Sequence, residues 1–307
     1  MKNKITLSNC NCCPRSCNIN RINGVTGFCN TGDGYYISSI CAHRGEEPVI
    51  SGEYGICNIF FSHCNMQCIY CQNYQISDNQ KILEYSSMSL SDIIKQIVII
   101  LNNGVKSLGF VSPSHSIPQM LEIIYAIKKE GHTPVIVYNS NGYDKPEYIK
   151  ELTGVIDVYL PDLKYMDNRL SAEYSNTPDY VEFATQTIKE MYRQKGSDII
   201  LDNDGLITSG MIIRHLVLPG HVDNSKDVLR FIANELSPDV YISLMSQYYP
   251  TPKVVNHPVL GRTLSIKEYD EVLDEMENLG FHRGFVQELD SSHNYQPDFY
   301  KNHPFED

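Results

Sequence analysis

The chain has 307 residues and a formal net charge of −12, without any block of Lys or Arg. Nucleic acids and anionic membrane surfaces are therefore poor partners for it. The sequence shows neither a signal peptide nor a membrane span, because its most apolar stretch, residues 93–101, is interrupted by Lys95 and Gln96. We expect a soluble, cytoplasmic protein.

The cysteines are confined to the start of the chain. All ten lie between Cys10 and Cys71, and residues 72–307 contain none. A disulfide framework is typical of small secreted domains and does not suit the first quarter of a larger cytosolic protein. In a reducing compartment, clustered cysteines favour metal binding or catalysis.

Residues 1–54 combine short segments, several glycines and little hydrophobic periodicity. Such a segment buries little apolar surface and needs a metal to order it. Four thiolates in it are suited either to a [4Fe–4S] cluster or to a tetrahedral zinc ion, namely Cys10, Cys13, Cys17 and Cys29. We predict that residues 1–54 form an auxiliary cluster-binding or metal-binding segment, in which Cys12 only packs.

After residue 55, apolar runs alternate with helical patterns, which predicts parallel βα units. The predicted strands are Ile56–Ser62, Ser107–Val111, Val135–Tyr138, Val155–Leu160, Ile212–Leu218 and Val240–Leu244, with Phe285–Leu289 as a further candidate. A hairpin turn is predicted at Asn203-Asp204-Gly205.

Start and stop signals predict the helices between these strands. They are Leu90–Asn103, Pro118–Glu130, Pro146–Thr153, a helix that Thr177-Pro178 introduces, a helix capped by Ser225, and one that begins at the capping box of Ser265 and Glu268.

Six βα units are too few to close an eight-stranded barrel. We predict an α/β fold, a partial and open (β/α)6 TIM-type barrel over residues 55–280, with residues 281–307 as a tail that covers the barrel. In such barrels the chemistry lies on the loops after the carboxyl ends of the strands. Those loops are polar here, and the first of them contains Cys64.

The loop after the first predicted strand carries Cys64, Cys68 and Cys71 in a C-x3-C-x2-C pattern. Three thiolates on so short a loop can each hold one iron of a cubane, which leaves the fourth iron open. An open coordination position suits a reactive site and not a structural one. A zinc loop or three buried structural cysteines would give the same residues, but the position after a barrel strand favours the cluster.

This spacing and placement resemble those of the radical S-adenosylmethionine (SAM) superfamily. The resemblance implies that SAM chelates the open iron. It also implies that an electron from the cluster cleaves SAM to methionine and a 5′-deoxyadenosyl radical, which abstracts hydrogen from a substrate. Tyr70 matches the aromatic residue that this family places beside the adenine.

Further motifs resemble those of glycyl-radical-enzyme activases of the pyruvate formate-lyase activating type, namely Asn139–Gly142, Asp162–Lys164 and Arg214–Gly220. From Cys10 to about Gln287 the chain is similar to the PflX-like iron–sulfur relatives of that group. The resemblance implies that Lys164 pairs with the methionyl carboxylate of SAM and that Arg214 holds its ribose or carboxylate region. Asp162 would lie near the cation site of the activases.

The chain also departs from the activase pattern. Asn139 stands where the activases carry Asp, and Asn141 of the same loop is a further candidate for cofactor binding. The stretch that would bind the SAM amino group is replaced by Ser112, Ser114 and His115, any of which is a candidate to take over that role.

The sequence thus predicts an oxidoreductase-type radical SAM enzyme, with an electron donor such as flavodoxin or ferredoxin. In the activase version its substrate is a glycine of a glycyl radical enzyme. Alternatively it modifies or epimerises a peptide or small molecule, with Cys41 as a hydrogen-atom donor and His43, Glu46 and Glu47 as acid/base groups. The blander interpretation makes Cys41 a buried thiol and the other three a solvated turn. An alternative of another class is a non-catalytic Fe–S electron carrier or a metal-stabilised binding protein.

Overall fold

The computed structural model describes residues 5–80, 87–293, 296–301 and 303–305. The strands in these ranges are β1 (Ile37–His43), β2 (Ile56–Phe61), β3 (Ser107–Val111), β4 (Val135–Ser140), β5 (Val158–Pro161), β6 (Ile200–Leu201), β7 (Ile207–Leu216), β8 (Tyr241–Met245) and β9 (Gly284–Val286). The helices are α1 (Pro48–Ser51), α2 (Tyr74–Ser77), α3 (Leu90–Asn102), α4 (Ile117–Lys129), α5 (Pro146–Glu151), α6 (Asn168–Ser175), α7 (Tyr180–Lys195), α8 (Val222–Glu235) and α9 (Ile266–Asn278).

One sheet organises the chain, in the strand order β1-β2-β3-β4-β5-β7-β8-β9. From β2 to β9 every neighbouring pair along this path is parallel, whereas β1 joins β2 in antiparallel pairing. The path begins at β1 and ends at β9, so the sheet is open. The predicted α/β fold, an open partial barrel of TIM type, is confirmed.

The sheet is covered by helices because its parallel strands are apolar on both faces. All six residues of β2 are buried, as are all four of β5. The amphipathic helix α3 turns Ile93 and Ile97 inward, and the Ser89 side chain caps it by accepting the Asp92 N–H. In the part of the chain that the structure describes, none of the helices combines the length and the apolar character that crossing a bilayer requires.

Most predicted elements are present, with shifted ends. The predicted strand Ser107–Val111 and the capping box of Ser265 and Glu268 are confirmed. The hairpin turn is also confirmed, because β6 pairs antiparallel with β7 and Gly205 adopts a φ of +77° between them.

Several predictions about boundaries were wrong. The fifth predicted strand, Ile212–Leu218, begins five residues earlier, as part of β7. The helix expected to be capped by Ser225 begins four residues earlier, at Val222, and the Ser225 hydroxyl instead bonds the His215 Nε2 atom at 2.8 Å. The fourth predicted strand begins at Val158 and not at Val155. The last candidate strand is the shorter β9. Five regular elements were not predicted, namely β1, β6, α1, α2 and α6.

The N-terminal segment packs on the loops at one end of the barrel. Arg15 donates to the carbonyl oxygens of Asn65, at 2.9 Å, and Asn176. Arg21 donates to the carbonyl oxygen of His115 at 2.7 Å. The division of the chain at residue 54 stays a prediction, and β1 on its N-terminal side belongs to the same sheet as β2.

The described residues near the C-terminus lie against β1 and β2. The Phe60 ring lies 5.3 Å from that of Phe299 and 5.5 Å from that of Phe305, between ring centroids. His303 bonds the carbonyl oxygen of Ala42 at 2.9 Å through Nε2. These contacts bring the end of the chain to the same side of the sheet as the cavity described next.

Candidate active site

A cavity of about 580 Å³ lies at the carboxyl ends of the parallel strands. Each of β2, β3, β4, β5, β7, β8 and β9 contributes lining residues from its end or from the loop that follows. Examples are Cys64, Ser112, Asn139, Asp162, Leu216, Gln247 and Gln287. This is the position expected for chemistry in a barrel of parallel strands.

The cysteine loop, residues 64–71, follows β2 and places Cys64, Cys68 and Cys71 in the lining of this cavity. Its backbone is fixed at several points. The Cys64 N–H donates to the Asn79 Oδ1 atom at 3.0 Å, and the N–H of residue 69 donates to the carbonyl oxygen of Tyr174 in α6 at 2.8 Å. The three thiols therefore share one wall.

Each of the three sulfurs also accepts a hydrogen bond from a neighbouring side chain. The bonds run to Cys64 from Asn141 Nδ2 at 3.4 Å, to Cys68 from Ser175 Oγ at 2.9 Å, and to Cys71 from Ser77 Oγ at 3.3 Å. Burial raises the pKa of Cys64 to about 12 and that of Cys68 to about 11. Metal binding at this loop would therefore release protons.

This donor set fits a cubane with one open iron. Among the described residues no other cysteine lines the cavity. No three Cys, His, Asp or Glu side chains in those ranges lie close enough together to hold a single metal ion. A [4Fe–4S] cluster has no need of that convergence, because each thiolate binds a different iron.

Lys164 and Asp162 form a partly buried ion pair in the lining of the cavity, with 17% and 20% of their side chains exposed. Burial would lower the pKa of Lys164, but the charges of Asp162 and Cys68 raise it, so the ammonium group stays charged. Gly142 holds the preceding loop against this pair. Its φ is +82°, and a Cβ atom there would lie 2.3 Å from the Asp162 carbonyl oxygen.

Tyr70, the aromatic residue within the cysteine loop, also lines the cavity. Its hydroxyl lies 2.5 Å from that of Tyr165, which in turn lies 2.7 Å from the Ser175 hydroxyl. Because Ser175 donates to Cys68, a chain of hydrogen bonds joins Tyr70 to a cysteine sulfur. The ring is thus held in a fixed position beside the three thiols.

The three residues predicted as candidates to bind the SAM amino group do not lie together in the structure. Ser112 ends β3 with a φ of +48° and lines the cavity. Ser114 and His115 are buried in the following 3-10 turn and are not in the cavity lining. His115 bonds the Ser62 carbonyl oxygen at 3.0 Å through Nε2 and faces the N-terminal cysteines. Of the three candidates, the structure thus brings only Ser112 to the cavity.

Asn139, near the end of β4, and Asn141, in the loop after it, both line the cavity. Asn141 spans the Cys64 sulfur and the Asn65 Oδ1 atom, to which it donates at 2.8 Å. The carbonyl oxygen of Asn139 accepts the Ser112 N–H at 2.8 Å. These contacts couple the β3 and β4 loops to the cysteine loop.

Arg214 lines the cavity, but two acidic side chains already contact its guanidinium group. Its Nε atom donates to Glu47 Oε1 at 2.8 Å, and its Nη2 atom contacts Glu46 and Glu47. Arg214 was expected to hold the ribose or carboxylate region of SAM. Its guanidinium group is instead already paired with two carboxylates of the protein. The interpretation of Glu46 and Glu47 as a solvated turn was wrong, because both are largely buried in the cavity wall.

Three glutamines in the lining were not predicted as a unit. The Gln72 and Gln247 side chains share a 3.0 Å hydrogen bond, and Gln287 Nε2 donates to Gln247 Oε1 at 2.7 Å. Gln72 directly follows Cys71, and the other two end β8 and β9. A polar residue at the end of each successive strand is the sequence signal that points to them.

The N-terminal cysteine cluster consists of Cys10, Cys12, Cys13, Cys17 and Cys29, which enclose about 10 Å³ together with Arg21 and His115. Cys12 is buried and packs in this cluster, where its sulfur lies within hydrogen-bond distance of that of Cys10, at 3.9 Å. That hydrogen bond lowers the pKa of Cys10 to about 5. Arg21 is buried, and its guanidinium group donates to the Cys10 sulfur at 3.8 Å.

The two remaining cysteines lie outside the cavity lining. Cys57 is buried within β2. Cys41 is buried in β1, in a small apolar cluster with Phe60, Ile76 and Phe299. Its position agrees with the interpretation as a buried thiol and gives no support to a role as hydrogen-atom donor.

Comparisons with known proteins agree with this geometry. The family model described as the radical SAM superfamily matches residues 58–232. An uncharacterized protein of Methanocaldococcus jannaschii is 31% identical over 283 residues, which cover 89% of this chain and 76% of that protein.

Two solved structures share the fold at low sequence identity. Methylornithine synthase is 14% identical with a TM-score of 0.50, over 72% of this chain and 61% of its own. HydG, a maturase of the [FeFe]-hydrogenase, is 13% identical with a TM-score of 0.50, over 73% of this chain and 49% of its own. These two likenesses concern the fold alone, and this chain spans less than two thirds of either protein.

Proposed function

Because the chain belongs to the radical SAM superfamily, we propose that Cys64, Cys68 and Cys71 hold its [4Fe–4S] cluster. The family implies both this cluster and SAM. The observation that carries the proposal is the placement of three hydrogen-bonded thiols, without a fourth, in the lining of one cavity. When bound, the cluster supplies the electron that splits SAM into methionine and a 5′-deoxyadenosyl radical. The enzyme then abstracts hydrogen from a substrate in the same cavity.

The other lining residues have roles that their chemistry supports. Lys164 is a partly buried cation and would pair with the methionyl carboxylate of SAM, while Asp162 holds the ammonium group in place. Tyr70 would lie against the adenine. The Ser112 hydroxyl and the Asn139 amide remain as polar groups for the amino end of SAM.

The described residues near the end of the chain would limit the access of water to the cavity, which would protect a reactive intermediate from side reactions. Pro297 and Phe305 contribute to the lining from the end of the chain. The linked amides of Gln72, Gln247 and Gln287 join the cysteine loop to β8 and β9. We infer that residues 281–307 act as a cover for the site.

The resemblance to glycyl-radical-enzyme activases makes a protein glycine the first substrate to test, and a flavodoxin or ferredoxin the first electron donor. The epimerisation version is less well supported, because Cys41 is not in the cavity lining. A simple electron carrier has no use for a cavity of about 580 Å³ with charged walls. That volume is within the range of small-molecule sites.

We further propose that the N-terminal cysteine cluster binds a metal through Cys10, Cys13, Cys17 and Cys29. Within the described ranges no carboxylate pairs with the buried Arg21 guanidinium group. Metal-bound thiolates would supply the negative charge that it needs. Because no three Cys, His, Asp or Glu side chains of the described residues converge on a single metal ion, we expect a second [4Fe–4S] cluster here, with about eight irons per chain. About four irons per chain would instead indicate zinc.

The direct test is SAM cleavage. Protein is reconstituted anaerobically with iron and sulfide, reduced, and assayed for 5′-deoxyadenosine. We expect product from the wild type and none from Cys64→Ala. Cys57→Ala is the matched control, because it removes a buried thiol from the strand that precedes the loop, and it should retain activity. Absence of product from fully loaded wild-type protein would contradict the proposal.

A further inference from the structure

A second group of charged side chains lines the same cavity and is not explained by SAM cleavage. His43 ends β1, Glu46 and Glu47 precede α1, and Arg214 lies in β7. We name these four residues the arginine–carboxylate subsite. It is built where the N-terminal part of the chain meets the barrel, whereas the cysteine loop follows β2.

The four side chains are buried and closely connected. The exposed fraction is 9% for the Glu46 side chain, 5% for Glu47 and 10% for Arg214. Arg214 contacts both carboxylates, and Asn58 Nδ2 donates to Glu46 Oε1 at 2.7 Å. Such a network holds the carboxylates in fixed positions at the cavity wall.

The charges of this network do not cancel. One guanidinium group faces two carboxylates, and the neighbouring Asp162 and Lys164 neutralise each other. Burial would raise the pKa of Glu46, but the charge of Arg214 lowers it to about 2, so this carboxylate stays ionised at neutral pH. One negative charge is left in a largely desolvated wall, and a ligand of opposite charge would offset its cost.

His43 provides a second, independent sign of a ligand. It is 8% exposed and lines the cavity, and its Nδ1 atom is buried without a hydrogen-bond partner among the described residues. Its ring contacts that of Phe305 at a tilt of 42°, with 3.9 Å between the ring centroids. Buried polar atoms are normally paired, so an unpaired one on a residue that lines a cavity indicates a missing partner.

We propose that the arginine–carboxylate subsite binds a cationic nitrogen group of the substrate, an ammonium or a guanidinium. Such a group offsets the remaining negative charge and has N–H donors for His43 and the carboxylates. The inference rests on the proposed function in taking the cysteine end of the cavity as the SAM site. SAM itself is a poor occupant, because its sulfonium has no N–H to donate and its amino group would be engaged at the cysteine end of the cavity.

The test uses anaerobic protein loaded with cluster and SAM, without reductant. Two cations, n-butylammonium and n-butylguanidinium, are titrated by calorimetry. The probes 1-pentanol and pentanoate serve as neutral and anionic molecules of similar length. We expect the cations to bind about tenfold more tightly than 1-pentanol, and pentanoate to bind most weakly, because the charge of the site selects among ligands of one size.

Variants that change the charge of the subsite then test whether it causes the preference for cationic probes. Glu46→Gln brings the formal charge of the subsite to zero and should reduce the cation preference to about parity. Glu46→Asp keeps the charge and should keep most of the preference. Glu235→Gln removes a carboxylate from an exposed pair with Lys189 and is the matched control, expected to bind the probes as the wild type does. Circular dichroism and iron content verify that each variant is folded and loaded.

Three results overturn the subsite. They are equal wild-type affinity for the cations and 1-pentanol, an unchanged preference in Glu46→Gln, and displacement of SAM by the cations. If Glu46→Gln does not fold, the proposal is tested by the wild-type affinities for the four probes and by the cation preference of Glu46→Asp. Wild-type SAM cleavage is measured in parallel. A failure of cleavage rejects the proposed function, whereas cleavage without cation preference rejects only the subsite.

Discussion

The two groups of cysteines differ in how much space they enclose. Cys64, Cys68 and Cys71 line a cavity of about 580 Å³. The N-terminal cysteine cluster encloses about 10 Å³, room for roughly one water-sized sphere. A metal site that keeps room beside its ligands can bind a reactant, whereas a closed site can only stabilise the fold or pass electrons.

The environments of the sulfurs differ as well. Side-chain amide and hydroxyl groups donate to the sulfurs of the cysteine loop, and the partly buried cation next to it, Lys164, is paired with Asp162. In the N-terminal cysteine cluster the nearby cation is Arg21, which bonds a sulfur and backbone carbonyl oxygens. Beside the cysteine loop, Lys164 lines the cavity and could also contact a carboxylate ligand. In the N-terminal cysteine cluster, Arg21 instead contacts a cysteine sulfur directly.

The largest effect should come from removing one cysteine of each group. Cys64→Ala should abolish 5′-deoxyadenosine formation and change the unfolding free energy little. Cys13→Ala should lower the unfolding free energy by about 3 kcal/mol or more, because a structural metal contributes folding energy. For a chain of this size that is a decrease of roughly 5 °C or more in the melting temperature. Calorimetry and the SAM cleavage assay on both variants check the contrast.

The opposite pattern would break the comparison. If Cys13→Ala melts like the wild type after reconstitution, the N-terminal cysteine cluster does not order the fold. Cys57→Ala again serves as the control for loss of a buried thiol that belongs to neither group.

The second effect concerns the charged pair in the open site. Lys164→Met leaves Asp162 without its partner and removes the cation proposed for the SAM carboxylate. Loss of one partner of a buried ion pair costs about 2–5 kcal/mol in binding, so SAM affinity should fall at least about thirtyfold. Equilibrium binding of SAM to the unreduced protein measures this. Lys189→Met, in an exposed pair, should bind SAM normally, and an equally weak Lys189→Met would point to a non-specific loss of charge.

The third effect concerns the closed site. Arg21→Gln removes the buried guanidinium group beside Cys10 and should weaken metal binding at the N-terminal cysteine cluster about 10- to 100-fold, as changes next to metal ligands do. Competition with a chelator, followed by metal analysis, measures this change in metal affinity. The exposed Arg193→Gln is the matched control. Equal metal retention in Arg21→Gln and the wild type would show that Arg21 serves packing alone.

The sequence patterns predicted the parallel strands of the barrel but not the antiparallel strand β1 that pairs with β2 at the edge of the sheet. The apolar runs of β2, β3 and β8 are local signals, because strands buried on both faces are apolar throughout. The antiparallel strand β1 was missed, since Ile37–His43 contains two serines and a histidine and its pairing with β2 is a tertiary choice.

The site was predictable where spacing along the chain determines it. The three cysteines lie within eight residues, so their convergence follows from one loop. The pairing of Arg214 with Glu46 and Glu47 spans 167 residues or more, which no local pattern reveals. Ser114 and His115 lie outside the cavity lining because a left-handed residue, Ser112, directs the chain into a 3-10 turn after β3.

The smallest effect should come from a hydrogen bond in the open site. Ser175 donates to the Cys68 sulfur at 2.9 Å, and such bonds favour the more negative, reduced state of a cluster. Ser175→Ala removes about 1 kcal/mol of this stabilisation at most, which for one electron corresponds to a potential lower by about 20–40 mV. Ser171→Ala in the same helix is the control, because its hydroxyl bonds the Thr177 carbonyl oxygen and not a sulfur. A redox titration followed by electron paramagnetic resonance measures both. Equal shifts in the two variants would mean that the helix, and not the bond to sulfur, sets the potential. A shift in Ser175→Ala alone would connect one hydroxyl to the electron on which SAM cleavage depends.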